Sequence, residues 1–175
     1  MNGFLLYSIL YAGGIVFLAG CVARIVRYAA EPVHLRWEIY PVPHGKMGEA
    51  RFMIPEIAFL KNLWEFNRPM WWASYPFHLG LYLTATALAL AAAMSWAPSR
   101  VLHEAAVYCG TAGAALGLAG ALGLLARRLG NRELKLYSTR ADYFNLIFFA
   151  VTFALLLAGY WLRPAGSAEI GRAHV

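Results

Sequence analysis

Of the five histidines in this 175-residue chain, His78 is the one best placed to do chemistry. It stands in Pro76-Phe77-His78-Leu79-Gly80-Leu81-Tyr82, which opens an apolar run reaching Trp96, and no Asp, Glu, Lys or Arg occurs from Pro69 to Ser99. An imidazole there must find a partner or bind something, because an unpaired polar group in hydrocarbon costs several kcal/mol. Ala85, Ala89 and Ala92 follow at i+7, i+11 and i+14, along one side of a helix. Small side chains in line with a histidine leave a groove where a flat, bulky group can lie against the backbone. Haem is such a group, and histidine is its usual axial ligand. The same pattern also serves close packing of a second helix, with His78 hydrogen-bonded across a bundle. Taken alone, this helix leaves both readings open.

The other chemistry-bearing residues are fewer. Arg127 and Arg128 end a glycine-rich apolar stretch; they read as headgroup anchors or as salt-bridge partners of a haem propionate. Cys21 and Cys109 fall inside apolar stretches, with no Cys-x-x-Cys-His and no four-cysteine cluster, so they read as small packing residues. His103 opens the third apolar stretch at its outer end, about a full membrane thickness (~30 Å) from His78, too far to share an iron with it. His34 and His44 lie in a proline-rich link and read as surface or partner contacts.

These residues must be carried by elements that live in a membrane. The chain is 61% hydrophobic and 14% charged, where soluble domains are nearer 45–50% and 25%. Four charge-free stretches reach the roughly 20 residues that span a bilayer core: Gly3 to Ala23, Pro69 to Ser99, Ala105 to Ala126 and Tyr143 to Leu162. The predicted fold is all-α, with spans at about 4–26, 74–97, 104–127 and 142–163 plus a short interfacial helix. The first stretch lacks the basic lead and cleavage site of a signal peptide and reads as a retained helix. No span carries a buried carboxylate or paired charge, which sets a transporter aside.

The formal net charge of +6 is distributed by topology. Arg24, Arg27, Arg36, Lys46, Arg51, Lys61 and Arg68 fall between the first two spans, and Arg127, Arg128, Arg132, Lys135 and Arg140 between the last two. Arg100 alone lies between the second and third. The positive-inside rule then places the N-terminus outside and the two basic links in the cytoplasm. The basic balance thus reports orientation, not nucleic-acid binding.

The long first link begins with a proline- and aromatic-rich part, Glu31 to His44, expected to be extended. A short helix is predicted from near Pro55, at the membrane interface or under a partner. Trp71 and Trp72 form an aromatic belt at the entry of the second span. Trp37, Tyr40, Trp64 and Arg68 are the expected anchors for a cytoplasmic subunit. The third span carries Gly110, Gly113, Gly117, Gly120 and Gly123, including a small-x-x-x-small pattern that predicts close approach of another helix. Asp142 is favoured at the start of the fourth span by the helix dipole. The tail Glu169 to Val175 reads as an adapter-derived scar, so that the domain is expected to cover 1–168, truncated at its C-terminus, with no role for His174.

Phe77-His78-Leu79-Gly80, the series Leu124-Leu125-Ala126-Arg127-Arg128-Leu129, and Ser138-Thr139-Arg140-Ala141-Asp142 together resemble the gamma subunit of respiratory nitrate reductase, a membrane b-type cytochrome. The likeness covers roughly Pro76 to Leu162 in order and spacing. The first link, with HLRWEIYPVPH and IPEIAFLKNLWEFNRPMWW, is more similar to gamma-like subunits of transmembrane redox complexes in sulfate-reducing bacteria, which stand beside iron–sulfur subunits related to heterodisulfide reductase. The resemblance implies five spans, of which this chain holds four, and two stacked b haems, each held by one histidine from span two and one from span five. It makes His78 the first axial ligand and leaves Arg127 and Arg128 open between headgroup anchors and propionate contacts. The second span-two ligand would fall at Leu88, so the resemblance supports one haem b and departs from the family at the other.

The function so implied is a subunit passing electrons between the quinone pool and a cytoplasmic iron–sulfur or reductase subunit. Its setting would be the bacterial inner membrane, with lipid, quinone and that subunit as partners. The reading from a different class is a non-redox membrane anchor or assembly subunit without haem. A b-type absorption spectrum separates the two.

Overall fold

The computed structural model describes residues 3–31 and 45–162, and for the first helix only part of its side chains. Every regular element among the described residues is helical. The chain divides into two units, 1–45 and 46–175. In the first, helix α1 runs from Gly3 to Ala30 and contains the stretch 4–26 predicted as the first span. Arg27 stands in its last turn, where a cation meets the negative end of the helix dipole. The guanidinium of Arg24 lies 5.7 Å from the ring centre of Tyr28.

The second unit holds α2 (Gly45–Phe59), α3 (Lys61–Phe66), α4 (Arg68–Met94), α5 (Arg100–Gly130), α6 (Arg132–Tyr137) and α7 (Arg140–Trp161). Of these, α4, α5 and α7 are long and apolar enough to cross a membrane. They overlie the second, third and fourth predicted spans. Each begins a few residues early, and a polar side chain caps the start of α4 and of α7. Asn67 Oδ1 accepts the Met70 amide at 3.2 Å, with proline just inside the helix. Thr139 and Asp142 form a reciprocal capping box ahead of α7. The placement of Asp142 agrees with the dipole argument, and the hydroxyl partner adds a specific geometry. Helix α6, which the charge pattern did not announce, is capped by Asn131 Oδ1 accepting from Glu133 and Leu134.

The predicted interfacial helix starts ten residues earlier than expected. Helix α2 begins at Gly45, in left-handed backbone with φ +74°, and runs through Pro55. Proline removes one amide and crowds the preceding turn, yet it does not end this helix. The break comes at Leu60, with φ 51° and ψ 50°. A branched side chain in that region costs about 1 kcal/mol, so neighbouring contacts must hold it.

Helix α5 is the middle of the membrane layer, with α4 along one side and α7 along the other. Glycine makes the first contact intimate. A Cβ on Gly80 would overlap the backbone of Gly117, one on Gly120 would overlap the backbone of Phe77, and one on Gly113 would strike Thr84. This is the close approach that the glycine spacing predicts. On the α7 side the Phe153 ring covers Gly117, and Tyr160 covers Gly110. Ala114 and Ala121 are fully enclosed, and with Phe77, Leu124, Leu146, Ala150 and Phe153 they form the core. Phe77 reaches past α5 to meet Phe149 and Phe153 edge-on, at 5.3 and 6.2 Å between ring centres.

Candidate functional site

His78 is two residues from Gly80, so it stands about 160° around α4 from the glycine seam. The seam side of α4 carries Phe77, Gly80 and Thr84 against α5. The opposite side carries Trp71, Tyr75, His78, Tyr82, Ala85, Ala89 and Ala92, with the three alanines exposed. The small-residue face in line with His78 is therefore turned away from α5.

The imidazole is half-buried, and its Nδ1 lies 2.8 Å from the carbonyl oxygen of Ser74. A carbonyl can only accept, so Nδ1 must carry the proton and donate it. In a neutral ring this leaves Nε2 with its lone pair, and Nε2 has no hydrogen-bond partner among the described residues. A neutral imidazole oriented through one nitrogen and open at the other is the form that ligates a metal. The second lone pair of the Ser74 carbonyl supplies the orienting bond, so no further side chain is needed. The site therefore fits an axial haem ligand.

Across this face lies the end of α2. Tyr82, four residues after His78, donates through its hydroxyl to the carbonyl of Ile57 at 2.6 Å. Trp71, seven residues before it, donates through Nε1 to the carbonyl of Phe59 at 2.8 Å. Both acceptors are carbonyls in the last turn of α2, which have no intrahelical partners of their own. Trp71 also stacks on Tyr75 at 4.6 Å and meets Trp64 and Trp72 edge-on at 4.7 and 5.0 Å. The predicted aromatic belt is thus a packed cluster. Arg68 lies over the Trp64 ring at 4.9 Å, so two of the four expected docking anchors are engaged with each other. Trp37 and Tyr40 lie outside the described residues, as do His34, His44 and the tail 169–175.

Arg127 and Arg128 continue the buried stripe of α5. Arg128 donates to Ser138 Oγ at 2.8 Å and lies 3.9 Å from Asp142 Oδ2, fastening the α6–α7 corner. Arg127 stands one and two heptads beyond Gly120 and Gly113, on the α4 side, without an ion pair among the described residues. The Nε atoms of both arginines are buried and unpartnered. The structure does not bring either arginine to His78, which faces the other way. His103 lies in a cavity of about 260 Å³ with Leu88, Ala91, Met94 and Tyr160 among its walls. Those α4 residues are ten to sixteen positions from His78, about 15–24 Å along the helix. That is shorter than the full membrane thickness expected, yet still far beyond one iron. Cys21 and Cys109 are free and half-buried.

Among the described residues, no three His, Cys, Asp or Glu side chains converge on a metal position. What distinguishes this site is an imidazole on a glycine-packed helix, with Nδ1 bonded to Ser74 and Nε2 without a partner among the described residues, in an all-helical membrane protein. A family model for the nitrate reductase gamma subunit matches residues 62–173, more than half of the chain, and the chain belongs to that family. No curated protein and no solved structure matches it.

Proposed function

We propose that this chain is the membrane-anchoring b-type cytochrome subunit of a respiratory redox complex, passing electrons between the quinone pool and a cytoplasmic iron–sulfur or reductase subunit. The observation that carries the reading is His78, with Nδ1 committed to Ser74 and Nε2 open. Membership of the nitrate reductase gamma family supports it. A b haem bound there supplies reversible one-electron chemistry. His78 would hold such a group through Nε2, with the Ser74 carbonyl orienting the ring. The resemblance assigns the other ligand to a histidine of the family's fifth span. Leu88 offers no ligand for a second haem.

The propionate roles of Arg127 and Arg128 have less support, because both sit on the α5 side of α4. In the proposed orientation α1 is a further span, the N-terminus is outside, and the basic links lie in the bacterial cytoplasm.

The full-length protein, purified from membranes, should show b-type Soret and alpha bands that sharpen on reduction. His78→Ala should remove them while the chain still inserts, since insertion follows hydropathy and charge bias. A colourless preparation of the unaltered protein would refute the proposal.

A further inference from the structure

Tyr82 and His78 occupy the same face of α4 one turn apart, about 6 Å along the axis. The Tyr82 ring crosses the gap between α4 and α2, with its hydroxyl on the Ile57 carbonyl. A planar group several ångströms wide seated on this face at His78 would extend along the helix toward that ring, which is about 6 Å away by helical rise. Trp71 is farther away, about 10 Å in the other direction, and its bond reaches Phe59, next to the left-handed Leu60.

We propose that Tyr82 gates the His78 face. Its tether to Ile57 and a porphyrin on His78 exclude each other, so loading turns Tyr82 aside and frees the last turn of α2. The Trp71–Phe59 bond is retained as the pivot, and the α2–α3 elbow swings rather than dissociates. The release of one tether and not the other follows from their spacing, because along α4 Tyr82 lies about 6 Å from His78 and Trp71 about 10 Å. The coupling is reciprocal: whatever draws the elbow away, a cytoplasmic subunit included, favours loading. This inference rests on His78 being a haem ligand.

The test uses full-length protein prepared without haem in detergent and titrated with hemin. Soret absorbance and backbone hydrogen exchange are followed together. Hemin should speed exchange in the last turn of α2 while leaving α5 unchanged, and His78→Ala should abolish that response. Tyr82→Phe removes the tether and should tighten hemin binding by about three- to tenfold, the scale of one hydrogen bond. A Soret band with unchanged or slower exchange in α2, or weaker binding by Tyr82→Phe, overturns the gate and leaves the cytochrome reading intact. The absence of any Soret band in the unaltered chain overturns both. The exchange measurement needs no variant, so misfolding of Tyr82→Phe would not shelter the proposal.

Discussion

Gly80 and Gly117 stand backbone to backbone, so close that a Cβ on Gly80 would overlap both the amide nitrogen and the Cα of Gly117. No rotamer change can relieve an overlap with main chain; the helices must separate. Gly80→Ala should therefore destabilise the α4–α5 pair by about 1–3 kcal/mol. Gly123→Ala is the control, since its added methyl would meet Ala73 at ordinary distances, 3.5 Å to Cβ and 3.8 Å to Cα. Thermal unfolding in detergent should separate the two, and equal melting temperatures would contradict the seam.

The start of α7 offers a second test. The Thr139 amide donates to Asp142 Oδ2 at 2.7 Å, and the Asp142 amide donates to Thr139 Oγ1 at 3.3 Å. Thr139→Ala loses the hydroxyl side of this exchange and should cost about 0.5–2 kcal/mol. Hydrogen exchange should localise the loss to the first turn of α7, with the core helix α5 unaffected.

Trp71→Phe keeps an aromatic ring against Tyr75 but removes the indole N–H that reaches Phe59. Amide exchange at 57–60 should quicken by several-fold, in keeping with about 0.5–1.5 kcal/mol for one hydrogen bond. Unchanged exchange there would show that Leu60 holds its left-handed backbone by other means.

Orientation can be read chemically. Cysteine introduced at Lys135, on the basic link between α5 and α7, should react with a membrane-impermeant maleimide only after the cells are opened. Labelling in intact cells would reverse the topology.

The sequence disclosed the layer that carries the site. Charge-free length located α4, α5 and α7, and the spacing of Gly113, Gly117 and Gly120 announced that a helix would come close. Which helix came close was not legible, because the partner contact at Gly80 is a backbone encounter without a side-chain signature. The early start of α2 was hidden by Pro55, a helix breaker by local rule that α2 nonetheless contains. The tethers from Trp71 and Tyr82 join residues 12 and 25 positions apart, beyond the reach of any local pattern. His78 could be singled out by type alone. That its open nitrogen faces away from α5 required the seam to be known first.

Phe77 has a consequence for His78 that concerns the bilayer. Its backbone rests on Gly120 and its ring is held by Phe149 and Phe153. The adjacent imidazole therefore takes its height from three protein helices rather than from the lipid. A thinner or thicker membrane would tilt the bundle or pucker the lipid around it. The vertical offset between His78 and the ends of α5 and α7 would stay the same, and any electron-transfer distance measured from it would be set by protein packing and indifferent to the length of the acyl chains.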